Sequence, residues 1–183
     1  RNFPASTTKM VTLLVALENG KLDDIVTVSP AAAGQEGSGL GLRAGDRIRF
    51  SELLEGMMLV SGNDAAFAAA EHLAGSAAAF MPQMNELALR AGAYHTHFAN
   101  PTGLTQSDHY TTAADLAKIA LYGLRNDEFS RIVGLEKKTV RWEEPAGKMV
   151  VAENTNELLG HYPGADGVKT GYTQAAGECL VAS

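Results

Sequence analysis

The sequence contains few of the residue types that mark several classes of protein. Among its 183 residues there is one cysteine, and aromatic residues make up only 7% of the chain. A single cysteine excludes an internal disulfide. No apolar run approaches the roughly 18 residues that a membrane-spanning helix requires, so this segment is not expected to cross a bilayer.

Positive charge is also scarce. Fifteen Lys and Arg oppose 21 Asp and Glu, which gives a formal net charge of -6. Sequence-independent binding of nucleic acid needs positive charge clustered on one face, so we expect no nucleic-acid partner. The hydrophobic share of 45% and the 19 glycines are ordinary for a folded domain, and they exclude a disordered tail or a collagen-like repeat.

The two ends of the sequence do not resemble natural termini. It begins at Arg1 rather than Met, and it stops at Ser183 within an apolar run. It contains neither the basic region nor the apolar core of a targeting signal. We therefore expect an internal piece of a longer protein.

Hydrophobic periodicity predicts an α+β protein. Helices are predicted at 5–19, 51–60, 65–73, 77–90 (broken or started near Pro82), 113–124 and 128–133. Strands are predicted at 25–28, 138–142, 148–152, 166–172 and 179–182, with a hairpin turn at 145–147. Because helices cluster centrally and strands late, the order favours α+β over a strict alternation of strands and helices.

The first of three short motifs is S-x-x-K, formed by Ser6 and Lys9. Residues three apart lie on one face of a helix, so the two side chains can touch. A serine hydroxyl needs a base to become a nucleophile, and a desolvated, neutral lysine can be that base. The alternative is an exposed serine and lysine at a helix start.

The second motif is S-x-N, formed by Ser61 and Asn63 on a turn between two predicted helices. Such a turn can hold both side chains rigidly toward a cleft. Capping is the competing interpretation, because Asn63 or Asp64 is a suitable N-cap for the helix predicted from Ala65.

The third motif is K-T-G, formed by Lys169, Thr170 and Gly171 on a predicted strand. Alternation places Lys169 and Gly171 on one face and Thr170 and Tyr172 on the other. The glycine permits close approach of a backbone or ligand, and the lysine offers a charge for a carboxylate. An edge-strand lysine that discourages aggregation is the alternative.

Each motif occurs once, and the three in this order resemble the low-molecular-mass penicillin-binding proteins of the D-alanyl-D-alanine carboxypeptidase type. The resemblance extends over the whole chain through further residues: 4–6 (PAS) with 8–10 (TKM), 98–104 (FANPTGL), and 167–173 (GVKTGYT) followed by 176–177 (AG). It implies a DD-peptidase-like fold in which an antiparallel sheet packs with helices beside a mostly helical lobe.

The resemblance implies a role for each motif residue. Ser6 is the expected nucleophile, Lys9 its general base, and Ser61 the proton relay to the leaving amine. Asn63 is expected to hold the substrate's peptide carbonyl. Lys169, Thr170 and Gly171 are expected to bind the terminal carboxylate, with Lys169 also keeping Lys9 neutral. The backbone N–H groups of Ser6 and Tyr172 are the expected oxyanion hole.

The resemblance also implies the partners and the location. Peptidoglycan stem peptides ending in D-Ala-D-Ala are the expected substrates and β-lactams the expected inhibitors, with no cofactor or metal, outside the cytoplasm. Class A β-lactamases share the motifs but carry E-x-x-x-N, and no Glu in this chain has Asn four residues later. Other β-lactamases and a non-catalytic peptide-binding module remain alternatives.

Other candidate residues are weaker. His95 and His97 are predicted to share a strand face, but no acidic partner converges on them, so packing is favoured over a zinc site. Residues 39–44 match G-x-G-x-x-A but follow no apolar strand, which argues against dinucleotide binding. Cys179, within a predicted strand, is expected to be a buried small apolar residue.

These points together predict one incomplete catalytic domain over 1–183. We expect a mainly helical lobe at about 30–135 and a strand-rich part at about 136–183. The resembling family has further strands, so the K-T-G strand is expected to pair with little more than the strand around Cys179. Open sheet edges predict self-association and poor activity for the segment alone.

Overall fold

The computed structural model describes residues 1–183 and shows seven α-helices. A 3-10 turn, Ala5–Thr8, runs directly into helix α1, Lys9–Asn19. The remaining helices are α2 (Pro30–Ala33), α3 (Phe50–Leu59), α4 (Asn63–Ala74), α5 (Ala77–Arg90), α6 (Ala113–Gly123) and α7 (Asp127–Val133). None of them combines the length and hydrophobicity that a bilayer-spanning helix needs.

Six strands form two antiparallel sheets. Strands β1 (Ile25–Thr27), β2 (Arg47–Arg49), β3 (Lys137–Glu144) and β4 (Met149–Glu153) pair in that order in a four-stranded sheet. Strands β5 (Val168–Thr173) and β6 (Gly177–Ala182) form a separate ribbon. The α+β prediction is confirmed, and the predicted hairpin turn at 145–147 does connect β3 to β4.

Helix α1 lies at the centre of the core. Its side chains from Lys9 to Ala16 are all buried, and it packs against α3, α4, α5, α6 and α7. A helix buried on every side needs small and apolar residues around its whole circumference, and the run MVTLLVA supplies them. The central position of α1 fixes the 3-10 turn that precedes it.

The helix ends follow from local capping chemistry. Thr112, the N-cap residue of α6, accepts a hydrogen bond from the backbone N–H of Asp115. Ser76 caps α5 in the same way by accepting from the N–H of Ala79. Pro82 lies inside α5 without ending it, so the predicted break at that residue is wrong.

Strand β2 was not predicted from the sequence. Its three residues, RIR, carry two charges and give too short a pattern to distinguish from a loop. Only Ile48 is buried, and its neighbours Arg47 and Arg49 form ion pairs with Glu144 and Glu143 of β3. Strand β2 pairs with β1 on one side and with β3 on the other, so the sheet joins an early part of the chain to a late one.

Strands β5 and β6 pair only with each other. Its register pairs Lys169 with Val181, Gly171 with Cys179 and Thr173 with Gly177. Neither strand has a second neighbour in a sheet. The K-T-G strand therefore pairs with β6 alone, as the sequence predicts.

Asp64, the second residue of α4, fixes a glycine-rich loop over the start of that helix. The buried carboxylate accepts hydrogen bonds from the backbone N–H groups of Leu40, Gly41, Leu42 and Ala65, at 2.8–3.0 Å. The loop therefore binds a carboxylate of its own chain, which accounts for the G-x-G-x-x-A match at 39–44.

We predict that Asp64→Ala lowers the free energy of unfolding by about 3 kcal/mol, because buried backbone N–H groups lose their acceptor. Urea denaturation measures the change. Asp127→Ala, which removes an exposed carboxylate from the first turn of α7, is the matched control and should cost less than about 1 kcal/mol. Equal losses in the two variants would contradict this role of Asp64.

Candidate active site

The 3-10 turn and the first residue of α1 place the first motif's side chains in contact. Lys9 Nζ lies 2.8 Å from Ser6 Oγ, which confirms the adjacency that the three-residue spacing predicts. Ala5, directly before the serine, has φ of +49° although it is not glycine. Such a conformation costs on the order of 1–3 kcal/mol, and it is found where the surrounding structure imposes it.

Lys9 Nζ has two further partners, both of which can only accept hydrogen bonds. Asn63 Oδ1 and the backbone carbonyl of Thr102 each lie 2.7 Å away. A neutral amine has two N–H groups, which these two acceptors satisfy. Its lone pair then points at Ser6 Oγ, the direction that removal of the hydroxyl proton requires.

The surroundings of Lys9 favour the neutral amine. The side chain is fully buried. Burial holds the pKa of Lys9 well below its ordinary value, and the nearby charge of Lys169 lowers this pKa further, whereas Asp64 acts in the opposite direction. Lys9 is therefore suited to accept a proton at neutral pH.

The second motif lies on the tight turn between α3 and α4. Ser61 has φ of +59°, the only other positive φ outside glycine. Asn63 begins α4, and the residue at the N-cap position is Gly62. The capping interpretation of Asn63 is therefore wrong, because its side chain instead accepts from Lys9 and donates from Nδ2 to the Glu36 carbonyl at 2.6 Å.

The third motif lies on β5, where its side chains alternate as predicted. Lys169 is buried, and its Nζ donates to Ser61 Oγ at 3.1 Å and to the Thr170 carbonyl at 2.9 Å. Burial lowers the pKa of Lys169 to about 7. Thr170 and Tyr172 point to the opposite face, where Tyr172 is exposed.

Gly171 allows β5 to lie directly against the serine-bearing turn. A Cβ atom at this position would lie 2.8 Å from the backbone nitrogen of Ser6 and 3.0 Å from that of Thr7. Real Cβ atoms hardly ever approach so closely. The glycine therefore sets the distance between the strand backbone and the backbone N–H of Ser6.

The three motifs meet at one groove, a cavity of about 670 Å³. Ser6, Ser61, Thr170, Gly171 and Tyr172 line it, together with Ser38, Thr155, Asn156, Glu157, Leu158, Glu178, Cys179 and Leu180. The side chains of Lys9, Asn63 and Lys169 are buried and do not line the wall. The groove thus presents hydroxyl groups, and the amines lie behind them.

A second set of site residues was not identified from the sequence. We call residues 98–104 the carbonyl loop, because Thr102 supplies the carbonyl that binds Lys9. Gly103 of this loop has φ of +94°, and a Cβ there would lie 1.9 Å from the Ala5 carbonyl oxygen. The FANPTGL segment was a visible signal, but a backbone acceptor can come from any residue type.

The segment after β4 also lines the groove, and it was likewise not identified from the sequence. Thr155 Oγ1 lies 2.5 Å from Thr170 Oγ1, and the backbone N–H of Thr155 donates to the Leu59 carbonyl just before Ser61. Asn156, which is buried, donates from Nδ2 to the Gly167 carbonyl at the start of β5. This segment therefore bridges the second and third motifs.

The structure corrects two expectations about other residues. His95 and His97 do not lie on a strand, because only an isolated bridge between His97 and Tyr110 forms there. Cys179 is only half-buried and faces the groove, so it is not the core residue expected from its strand. No group of three or more His, Cys, Asp or Glu side chains is arranged to bind a metal ion.

The geometry defines a class of site. The Ser6 hydroxyl, in the turn that precedes the central helix α1, faces the buried Lys9 amine. Beside it, the backbone of strand β5 borders the groove. Such an arrangement can form a covalent acyl intermediate on the serine, with the lysine as the base.

Comparison with known proteins agrees with this class. The whole chain, residues 1–183, matches the family model described as D-alanyl-D-alanine carboxypeptidase. It is 42% identical over 188 residues to D-alanyl-D-alanine carboxypeptidase DacF of Bacillus subtilis, covering all of this chain and 48% of the relative.

Solved structures show the same fold. A Streptomyces DD-transpeptidase superposes with a TM-score of 0.91 at 34% identity, covering 99% of this chain and 75% of that one. A D-alanyl-D-alanine carboxypeptidase from Mycobacterium tuberculosis gives a TM-score of 0.89 at 35% identity, covering 97% and 66%.

The chain therefore belongs to the D-alanyl-D-alanine carboxypeptidase family of penicillin-binding proteins. It spans about half the length of the Bacillus relative. The predicted family and fold are both confirmed.

We predict that Lys169 makes stability depend on pH. Unfolded lysine keeps a pKa near 10.5, whereas folded Lys169 titrates at about 7, so the unfolded chain binds the extra proton between these values. Unfolding free energy should then rise from pH 7 toward pH 10, by up to about 1.4 kcal/mol per pH unit. In chemical denaturation Lys169→Met should have a shallower slope, because only the contribution of Lys9, whose pKa is also lowered, remains, whereas the exposed control Lys21→Met should keep the full slope. Parallel curves for wild type and Lys169→Met would refute the assignment.

Proposed function

We propose that the protein is a serine D-alanyl-D-alanine carboxypeptidase that forms an acyl-enzyme on Ser6. The observation that carries the proposal is the contact of Ser6 Oγ, at 2.8 Å, with a buried lysine amine whose other two partners are fixed acceptors. Family membership supports the same reaction class.

The first half of the reaction forms the acyl-enzyme. Ser6 Oγ attacks the carbonyl carbon of the peptide bond between the two D-alanines, and Lys9 Nζ accepts the hydroxyl proton. The oxygen of the tetrahedral intermediate binds the backbone N–H groups of Ser6 and Tyr172, each worth about 3 kcal/mol. Gly171 supports this assignment, because it brings the β5 backbone against the Ser6 nitrogen.

Collapse of the intermediate breaks the peptide bond and releases D-alanine. The departing nitrogen needs a proton, which passes from Lys9 through the Ser61 hydroxyl. Ser61 Oγ lies 3.1 Å from Lys169 Nζ, and this neighbouring amine keeps the hydroxyl oriented. Water then attacks the ester carbonyl, regenerates Ser6 and frees the shortened peptide.

Substrate binding uses the groove and the charge behind it. We assign the terminal carboxylate to Thr170 and Gly171, with Lys169 attracting it from beneath the wall. Asn63 has one amide N–H on the Glu36 carbonyl. We assign its second N–H to the substrate's peptide carbonyl, which requires the substrate to reach past the groove wall, since the Asn63 side chain is buried and does not line that wall. The proposed substrates are peptidoglycan stem peptides ending in D-Ala-D-Ala, and the proposed inhibitors are β-lactams that acylate the same serine.

Location and organisation follow from this activity. A peptidoglycan substrate places the enzyme outside the cytoplasm, at the periplasm or the outer face of the cell membrane. We propose that residues 1–183 act as one catalytic domain, with the mainly helical part at about 30–135 and the strand-rich part at about 136–183 forming the two sides of the groove.

We predict that labelled penicillin attaches covalently to Ser6 and to no other residue. Ser6→Ala should abolish the label, and Lys9→Met should slow labelling by about 10²–10⁴-fold because the general base is lost. Mass spectrometry of tryptic peptides locates the adduct, and the exposed serine variant Ser107→Ala is the control. An adduct that clears within seconds would indicate a β-lactamase instead, and no adduct on folded protein would overturn the proposal.

We also propose that residues 1–183 self-associate through open strand edges and turn over substrate slowly. The outer edges of β4 and β6 have no partner, and Val151 and Leu180 on these strands are exposed apolar side chains. Unpaired apolar edges favour pairing with another copy.

We predict concentration-dependent association of residues 1–183 in sedimentation velocity experiments, and its reduction by Val151→Lys with Leu180→Lys. A charge on each edge opposes strand pairing. Glu86→Lys, at an exposed position on α5 away from both edges, makes the same change of +2 in net charge and is the control. A monomer at every concentration, or normal turnover by that monomer, would contradict the proposal.

A further inference from the structure

The carbonyl loop is attached to the first helical segment at three points. The Thr102 carbonyl accepts from Lys9 Nζ, and the Pro101 carbonyl accepts from Thr12 Oγ1, each at 2.7 Å. The third attachment runs through a side chain, because the backbone N–H of Ala99 donates to His109 Nδ1 at 3.1 Å. His109 therefore belongs to the contacts that hold the loop.

The hydrogen bonds of His109 define its tautomer. The Ala99 N–H is a donor, so Nδ1 must be the unprotonated acceptor. Nε2 then carries the hydrogen and donates to Thr8 Oγ1 at 2.8 Å. Both residues are fully buried, and Phe98 packs edge-on against the imidazole with ring centroids 5.6 Å apart.

His109 stays neutral under ordinary conditions. Burial lowers the pKa of its imidazole to about 4, with Asp108 raising and His97 lowering it as the nearby ionisable groups. A second proton would occupy Nδ1 and oppose the Ala99 N–H. At neutral pH the ring is therefore a fixed brace with one acceptor and one donor.

We propose that His109 is a positioning residue that keeps the Thr102 carbonyl on Lys9 by bracing the carbonyl loop against the serine-bearing turn. Thr8 lies between Ser6 and Lys9 in sequence, so one end of the brace is on the turn itself. The other end is at Ala99, three residues before Thr102. This inference rests on the proposed function in that Lys9 is taken as the base.

The consequence of the brace lies in the direction of the Lys9 lone pair. If the loop shifts, Nζ loses one of its two fixed acceptors, and the lone pair no longer points at Ser6 Oγ. Water entering beside the loop also reduces the desolvation of Lys9, which raises its pKa. The charges that face Lys9, Lys169 on β5 and Asp64 on α4, lie outside the loop and stay in place.

Two substitutions separate the two ends of the brace. In His109→Asn the amide oxygen can replace Nδ1 and keep Ala99, but the Thr8 bond is lost. In His109→Gln the amide nitrogen can replace Nε2 and keep Thr8, but the Ala99 bond is lost. Thr8→Val removes the hydrogen bond between Thr8 and His109 from the Thr8 side, and Thr8→Ser retains the hydroxyl that makes it.

The experiment measures penicillin acylation of Ser6 against pH for each variant, and it titrates the Lys9 amine by NMR of isotope-labelled lysine. His109→Asn, His109→Gln and Thr8→Val should slow acylation by about 10-fold or more through misplacement of the base. In these variants the acid limb of the curve of acylation rate against pH, and the titration of Lys9, should both move to higher pH by about half a unit or more. Thr8→Ser should restore wild-type behaviour.

A purely structural role gives a different result. Ile48→Val, in strand β2 and outside the groove, is the control for lost stability without loss of the brace. Variants of His109 and Thr8 that melt earlier, like this control, but keep the wild-type acid limb and Lys9 titration would overturn the inference. A wild-type protein that no penicillin acylates would refute the proposed function alone, because the NMR titration still tests the brace.

Discussion

The burial of an uncharged lysine is the constraint on which the rest of the site depends. A buried ammonium group carries a large desolvation cost, whereas a neutral amine needs only partners for its two hydrogens. Lys9 obtains them from two distant segments, the S-x-N turn and the carbonyl loop. Each of these segments must therefore be placed to within a few tenths of an ångström, and much of the packing around α1 serves that placement.

The polar groups of the site are satisfied throughout. No buried side-chain nitrogen or oxygen in the protein lacks a hydrogen-bond partner. The glycine-rich loop contributes to this, because its Glu36 carbonyl holds the Asn63 amide while its own N–H groups bind Asp64. Asn63 is thereby locked with its oxygen toward Lys9. A network with every member paired is rigid, and rigidity preserves the direction of a lone pair.

The sequence predicted the parts of the site that depend on side-chain type and spacing. The contact of Ser6 with Lys9 follows from helical periodicity. The placement of Lys169 on the opposite strand face from Thr170 and Tyr172 follows from strand alternation. Thr102 could not be found in this way, because its contribution is a backbone carbonyl that any residue possesses. His109 was not identified either, because its partners Thr8 and Ala99 lie 101 and 10 residues away in the sequence. Helical and strand periodicity predict only contacts between residues a few positions apart.

The same distinction applies to the fold. Long amphipathic helices such as α3 and α5 were predicted because their apolar residues repeat over several turns. Strand β2 escaped because its identity comes from pairing with β1 and β3 rather than from its own three residues. The start of α4 was placed two residues late, because Asn63 is held at the helix start by tertiary contacts instead of by a cap.

The two non-glycine residues with positive φ, Ala5 and Ser61, sit directly beside the nucleophile and within the second motif. Glycine would adopt either conformation without steric cost, yet it would also widen the range of backbone states at that position. Selection for a stable protein and selection for an ordered groove therefore act in opposite directions at these two sites. In this chain, a local cost in backbone conformation accompanies the alignment of its two reactive hydroxyl groups.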